Sequence, residues 1–232
     1  MLPVYNEEAC IAGVLRELHG VLSGLGKPFE ILAVNDGSTD HTRDILIALV
    51  PVLPGLRVLT LVPNSGQSAA MGAGFRHARG EAIVTLDADG QNDPADIPAL
   101  LARLSDCDIC CGYRMNRQDT WTKRAGSRFA NAMRRFLLRD GTRDTGCSLK
   151  AFRAWVVRDF PLDLKGMHRF LPALALMRGA RLDQVPVRHR ARSAGVSKYT
   201  NLGRLGQTVQ DLLAVNWMTK RVKRFEVRPE CE

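Results

Sequence analysis

A chain of 232 residues with 45% hydrophobic and 25% charged residues can bury a substantial core, which sets aside disordered, fibrous and low-complexity classes. No window approaches the roughly 18 consecutive apolar residues of a membrane-spanning helix, and the N-terminus lacks a basic segment followed by an apolar stretch of the signal-peptide kind. The net charge of +9 is uneven: residues 1–111 carry 7 Lys and Arg against 14 Asp and Glu, residues 112–158 carry 12 against 3, and residues 159–232 carry 14 against 7.

The first 111 residues alternate between strand-like and helix-like runs. Residues 9–25 show apolar positions at helical spacing and end at Gly24 and Gly26; Phe29–Val34 reads as a strand, and Asp36-Gly-Ser-Thr-Asp40 as a turn rich in helix caps. A helix follows over 41–50, a strand over 56–62, a loop at Asn64-Ser-Gly-Gln-Ser68 and a helix over 69–78. Ala82–Leu86 is a short apolar run, read as a buried strand, and Asp93-Pro94 beyond it reads as an N-cap followed by proline at the first helical position. Repeated βα units predict a parallel, doubly wound sheet. Beyond Arg114 the pattern changes. Residues 121–139 read as a basic amphipathic helix, Asp144-Thr-Gly-Cys-Ser148 as a turn and 149–160 as a mixed segment. A helix opens at 166–170 and runs to about 177, a strand spans 181–187, a loop spans 193–197, and 202–225 is helical.

Between the strand at 82–86 and the cap at Asp93 lies Asp87-Ala-Asp-Gly-Gln-Asn92. It places two carboxylates, one residue apart, at the carboxyl end of a strand, where open α/β sheets bind ligands. Such a pair suits a hard divalent cation shared with a substrate's phosphates, although an acidic strand-to-helix turn is the plainer alternative. In a parallel sheet, Pro3-Val-Tyr-Asn-Glu-Glu8, Asn35–Asp40, Asn64–Gln67 and Asp87–Asp89 share one edge and line one crevice, with Asp36 placed for a base or ribose. Cys107-Asp-Ile-Cys110-Cys111 looks like half a metal site, but no second half completes it, so buried thiols in a strand are expected. The basic second half suits a lipid phosphate, an anionic membrane surface or nucleic acid; a nucleic-acid recognition motif is absent, and a basic surface kept for solubility is the remaining alternative.

The combination PVYNEE, NDGSTD, DADGQNDP, Cys110-Cys-Gly-Tyr-Arg114, Asp144–Ser148 and Arg192-Ser-Ala-Gly-Val-Ser-Lys198 resembles the family 2 glycosyltransferases of GT-A fold. The last three motifs resemble the dolichyl-phosphate mannosyltransferase and polyprenyl-phosphate glycosyltransferase branch. The resemblance implies a GT-A domain over 1–200, with a nucleotide-sugar half (1–111) and an acceptor half (112–200), and then an amphipathic basic segment over 201–232. It implies that Pro3, Tyr5, Glu7, Val34 and Asp36 hold the nucleoside, and that Asp87, Ala88 and Asp89 hold ribose and diphosphate. Asp89 and Gln91 would ligate Mg²⁺ or Mn²⁺. Arg114, Arg192 and Lys198 would contact donor and acceptor phosphates, and Lys123 or Arg124 with Ser127 matches an acceptor-phosphate site at ambiguous spacing. Asp144 would act as a base or orient Arg114 or the basic helix. The implied reaction is inverting sugar transfer from a GDP- or UDP-sugar to a polyprenyl or dolichyl phosphate at the inner face of the membrane. The C-terminal helix would lie on anionic lipid or dock on the catalytic domain, and a membrane-anchoring subunit is a further expected partner. Two rivals stay open: a family 2 transferase with a glycan or soluble acceptor, and a catalytically weakened nucleotide-sugar-binding protein. One departure is noted. Relatives carry an apolar strand just before PVYN, and here it is expected to be missing, which would leave backbone groups unpaired in mid-sheet.

Overall fold

The computed structural model describes residues 1–115, 134–191 and 205–223. Strands β1 (Leu2–Val4), β2 (Ile31–Asn35) and β3 (Leu56–Thr60) pair in parallel in that order. Helices α1 (Ile11–Ser23) and α2 (Thr42–Leu49) make the crossovers, and α3 (Gln67–His77) leads to β4 (Ala82–Thr85). α1 buries Ile11, Val14, Leu15 and Leu18, one stripe of a 3.6-residue period. β2 is buried at every position, as a strand covered on both faces must be. Its residues alternate between two cores: Leu32 and Val34 face one with Phe75, Phe152 and Val215, while Ile31 and Ala33 face the other with Leu15, Leu46 and Leu100.

The second sheet runs β4-β6-β5-β7, with β5 at Ile109–Arg114, β6 at Lys150–Arg153 and β7 at Leu182–Val187. β6 lies antiparallel to both β4 and β5, whereas β5 and β7 are parallel. Helices α4 (Ile97–Arg103), α5 (Ala154–Val157), α6 (Leu171–Met177) and α7 (Leu205–Arg221) complete the described elements. The whole is the expected α/β architecture. The expected division between residues 111 and 112 falls inside β5, whose two neighbours, β6 and β7, come from the second half.

The first strand, expected to be missing, is present in short form, and this corrects that expectation. Leu2–Val4 pair with Ala33–Asn35, and Met1 bridges to β4. Its amino group donates to the Val84 carbonyl at 2.8 Å, and its carbonyl accepts from the Leu86 amide at 3.3 Å. Three residues suffice because the flanking strands supply the backbone partners. Around Met1 a cavity of about 700 Å³ opens between β2 and β4, with Leu18, Phe29, Ile31 and Ile83 among its walls.

Cys107, Cys110 and Cys111 are buried with free thiols, and burial pushes Cys110 and Cys111 up to about 12. Of the helix expected over 121–139, residues 134–138 are helical and Arg139, at a left-handed φ of 50°, ends it; residues 121–133 and the loop at 193–197 lie outside the described residues. α7 docks on the rest of the chain, one of the two expectations for the C-terminal segment: Leu212 and Val215 are buried in the core, while Leu213 and Trp217 are exposed.

Candidate active site

The four turns meet at the carboxyl edge of the strands, stitched by side chains. In the first, Asn6 adopts a left-handed φ of 51°, a conformation that asparagine tolerates better than most residues. Its amide donates to Ser38 Oγ at 3.0 Å and its side-chain carbonyl accepts from the Thr39 amide at 2.8 Å, joining the first turn to the second. The Glu7 amide donates to Thr42 Oγ1 at 2.8 Å. The third turn hangs on Asp36, whose buried carboxylate accepts from the Ser65 and Gly66 amides, both at 2.8 Å, and from Asn64 Nδ2 at 3.0 Å. Gly37 is needed beside it: φ is +63°, and a Cβ would sit 2.9 Å from the Asn64 nitrogen. The fourth turn is held by Gln67 Nε2, which donates to Asp87 Oδ1 at 3.2 Å, and by Cys10 Sγ, 3.3 Å from the Ala88 carbonyl.

Asp87 and Asp89 sit where β4 ends, Asp87 half-buried and Asp89 buried. Burial and then the neighbouring Asp89 raise the Asp87 carboxyl above the usual carboxylate range; a bond from Ser148 and the charges of Lys150 and Arg114 oppose this. Asp89 Oδ1 accepts from the Gln91 amide at 3.1 Å, which turns the loop back on itself. Asp93 caps the following 3₁₀ turn by accepting from the Ala95 amide at 3.0 Å, with Pro94 in the expected first position. Two crowded carboxylates and a nearby amide oxygen form a hard-oxygen set. Among the described residues no group of three or more His, Cys, Asp or Glu forms a metal cage. The set therefore fits Mg²⁺ or Mn²⁺ only if a bound diphosphate supplies further oxygens.

Ser148 ties this loop to the basic half. Its hydroxyl accepts from the Asp87 amide at 3.2 Å and from Asn92 Nδ2 at 2.7 Å, and its carbonyl accepts from Thr85 Oγ1 at 2.8 Å. Four residues earlier, Asp144 takes Arg114 in a bidentate grip: Nε donates at 2.7 Å and Nη2 at 3.0 Å, with both side chains largely out of water. From the other side, the segment after β7 clamps the loop. The Arg190 amide donates to the Gln91 carbonyl at 2.9 Å, and the Arg188 and Arg190 guanidinium groups pair with Asp93 at 3.2 and 2.9 Å.

Pro3, Tyr5, Glu7, Asp36, Asp87, Ala88, Asp89, Gln91, Arg114 and Asp144 thus lie on the turns and strand ends that form this edge. Val34 belongs to it only through its neighbour Asn35, for its own side chain is fully buried in the core. Asp36 is engaged by the loop at 64–66 rather than capping α2, where Asp40 accepts from the Thr42 amide at 3.0 Å. Lys123, Arg124, Ser127, Arg192 and Lys198 lie outside the described residues. Gln67 and Ser148 stand in turns that the sequence marked without giving either side chain a role; Arg188 and Arg190, site-forming as well, were given none.

Residues 1–163 match the family described as Glycosyl transferase family 2. The undecaprenyl-phosphate 4-deoxy-4-formamido-L-arabinose transferase of Edwardsiella ictaluri is 36% identical over 202 residues, covering 86% of this chain and 62% of that protein. The enzyme of the same name from an Enterobacter species is 36% identical over 216 residues, covering 92% of this chain and 65% of its own length. The chain therefore spans somewhat under two thirds of these relatives. Among solved structures, glucosyl-3-phosphoglycerate synthase from Mycobacterium tuberculosis in complex with Mg²⁺ and uridine-diphosphate aligns with a TM-score of 0.70 at 18% identity, covering 96% of this chain and 79% of that one. S. aureus TarS (1–349) aligns with a TM-score of 0.62 at 18% identity, covering 97% and 65%. At such identities the likeness is one of fold, and the fold is GT-A. With a family match that runs from β1 past β6 and takes in every turn of the stitched edge, this chain belongs to glycosyl transferase family 2.

Proposed function

We propose that the protein transfers a sugar, with inversion, from a nucleotide-sugar to a polyprenyl phosphate. The observation that carries this reading is the convergence of the Asp87–Asp89 turn with the Arg114–Asp144 pair across Ser148: a pair of carboxylates suited to a cation lies across that serine from a fixed guanidinium. The names of the two curated relatives support the lipid-phosphate acceptor. In this reading the turns at 3–8 and 35–40 hold the nucleoside, and Asp87 faces the ribose. Asp89 and Gln91 hold Mg²⁺ or Mn²⁺, which would neutralise charge on the departing diphosphate. Arg114, held rigid by Asp144, adds a fixed positive charge at no reorganisation cost. A lipid monophosphate has a second pKa of about 6 and attacks as a dianion, so Asp144 serves by orienting Arg114 rather than as a base.

The acceptor side comprises Arg192 and Lys198, together with Lys123 or Arg124 and Ser127. Membrane attachment is assigned to α7, whose exposed Leu213 and Trp217 lie one turn apart and precede Lys220 and Arg221. None of the described helices is long and apolar enough to cross a membrane. In this reading the contact is peripheral, at the inner face. The test is to incubate the protein with radiolabelled nucleotide-sugars, undecaprenyl phosphate and Mg²⁺ or Mn²⁺, and then extract lipid. Label in the lipid fraction is expected for one donor. Label in no lipid fraction with any donor sinks the proposal.

A further inference from the structure

Lys150 opens β6 and is 3% exposed, yet among the described residues no carboxylate lies within ion-pair distance of its ammonium. Its Nζ donates instead to two carbonyls of the preceding turn, those of Cys147 and, at 3.4 Å, of Thr145. Burying an ammonium against neutral partners is expensive, and an apolar side chain of similar length would fill the same space without that cost. What the charge provides is a fixed geometry for the turn at 144–148. That one turn carries Asp144, which grips Arg114, and Ser148, which holds both the Asp87 amide and the Asn92 side chain. The register of the sheet places Lys150 opposite Thr85 on β4 and Cys111 on β5, directly beneath the ends of the two strands that deliver Asp87 and Arg114.

We propose that Lys150 is a positioning residue for the donor site, a buried cation that locks the 144–148 turn and through it sets the spacing between Arg114 and the Asp87–Asn92 loop. This deepens the reading of the site as a nucleotide-sugar pocket and rests on it. Lys150 touches no substrate; it acts through Asp144 and Ser148, and its charge also bears on the Asp87 carboxyl.

Two variants test it, Lys150→Met, which keeps the length and removes the charge, and Lys150→Arg, which restores the charge and the donors. Leu53→Ala, in the core between α2 and β3, serves as a stability control. The first readout, amide hydrogen exchange, needs no nucleotide. Loss of one buried hydrogen bond is worth about tenfold, so exchange at Asp87 and across 144–148 should quicken about tenfold in Lys150→Met, recover in Lys150→Arg and stay unchanged in Leu53→Ala. The second is binding of UDP and of GDP in the presence of Mn²⁺, where Lys150→Met should bind about tenfold more weakly and Lys150→Arg near the parent value. Should Lys150→Met fail to fold, Lys150→Gln, which keeps a polar donor without the charge, takes its place, and the same exchange and binding outcomes decide. Unchanged exchange at Asp87 in Lys150→Met, or weakened binding without local deprotection, overturns the proposal. A parent protein that binds neither nucleotide overturns the functional reading and leaves the exchange result to judge Lys150.

Discussion

The pair formed by Arg114 and Asp144 offers a direct measure of how firmly the basic half is fixed to the acidic turns. Asp144 accepts from Arg114 Nε at 2.7 Å and from Nη2 at 3.0 Å, with both side chains largely out of water. It also accepts from the Gly146 amide at 3.2 Å and from the Arg114 amide at 3.3 Å. The perturbation is Asp144→Ala, which removes all four bonds and takes the carboxylate away from a guanidinium that stays largely buried. Breaking a buried ion pair from one side costs about 3–5 kcal/mol, and because Arg114 keeps some contact with water the lower end, about 3 kcal/mol, is expected. Asp144→Asn keeps one acceptor oxygen in place and should cost about half as much. Urea unfolding of the parent and both variants at pH 7 reads these losses as lower midpoints at unchanged slope. Coinciding midpoints would mean that the pair does not hold the 144–148 turn, and the reasoning would fail.

Three further predictions concern the site. Asp36→Asn removes a charged acceptor from the Ser65 and Gly66 amides and should cost about 2 kcal/mol in urea unfolding; an unchanged midpoint would show that the carboxylate does not hold the loop. Gly112→Ala would set a Cβ 2.9 Å from both the Leu149 carbonyl and Val187 Cγ1, where β5 runs between β6 and β7. A loss of about 1–3 kcal/mol, read as a lower Tm, is expected, and an unchanged Tm refutes it. Because burial and Asp89 raise the Asp87 carboxyl, it takes up a proton at a higher pH than an ordinary carboxyl and then no longer accepts from the ribose as an anion. UDP affinity at saturating Mn²⁺ should therefore weaken as the pH falls, and Asp87→Asn should flatten that limb; an equal slope in both proteins would contradict the assignment.

Much of this architecture was legible because it is local. Ala82–Leu86 is apolar and then turns acidic, which fixed both the strand and the place of Asp87 and Asp89 at its end. Asp93-Pro94 carried its helix cap in two letters. What escaped the sequence is non-local. Nothing in the spacing around Ser148 says that its hydroxyl reaches Asp87, 61 residues away, or that Asp36 spends its carboxylate on a loop 29 and 30 residues on. Val34 was drawn into the nucleoside set by its place in a motif, yet register turns its side chain into the core. The first strand was expected to be missing by comparison with the longer apolar run of relatives, yet three residues pair where neighbours on both sides supply the hydrogen bonds.

The placement of β6 has a consequence for how the chain assembles. β4 finds its in-sheet neighbour not in β5, the next strand in sequence, but in β6, which arrives some 65 residues later and inserts antiparallel between the two. The edge that carries Asp87 cannot be zipped until Lys150–Arg153 have emerged, so the loop closure that completes the pocket comes late and at high contact order. A nascent chain stopped at residue 111 would hold β1–β3 paired but β4 bare on the side where β6 belongs. Such an open edge invites pairing with other chains. A fragment carrying only the nucleotide side is therefore expected to aggregate before it can bind anything.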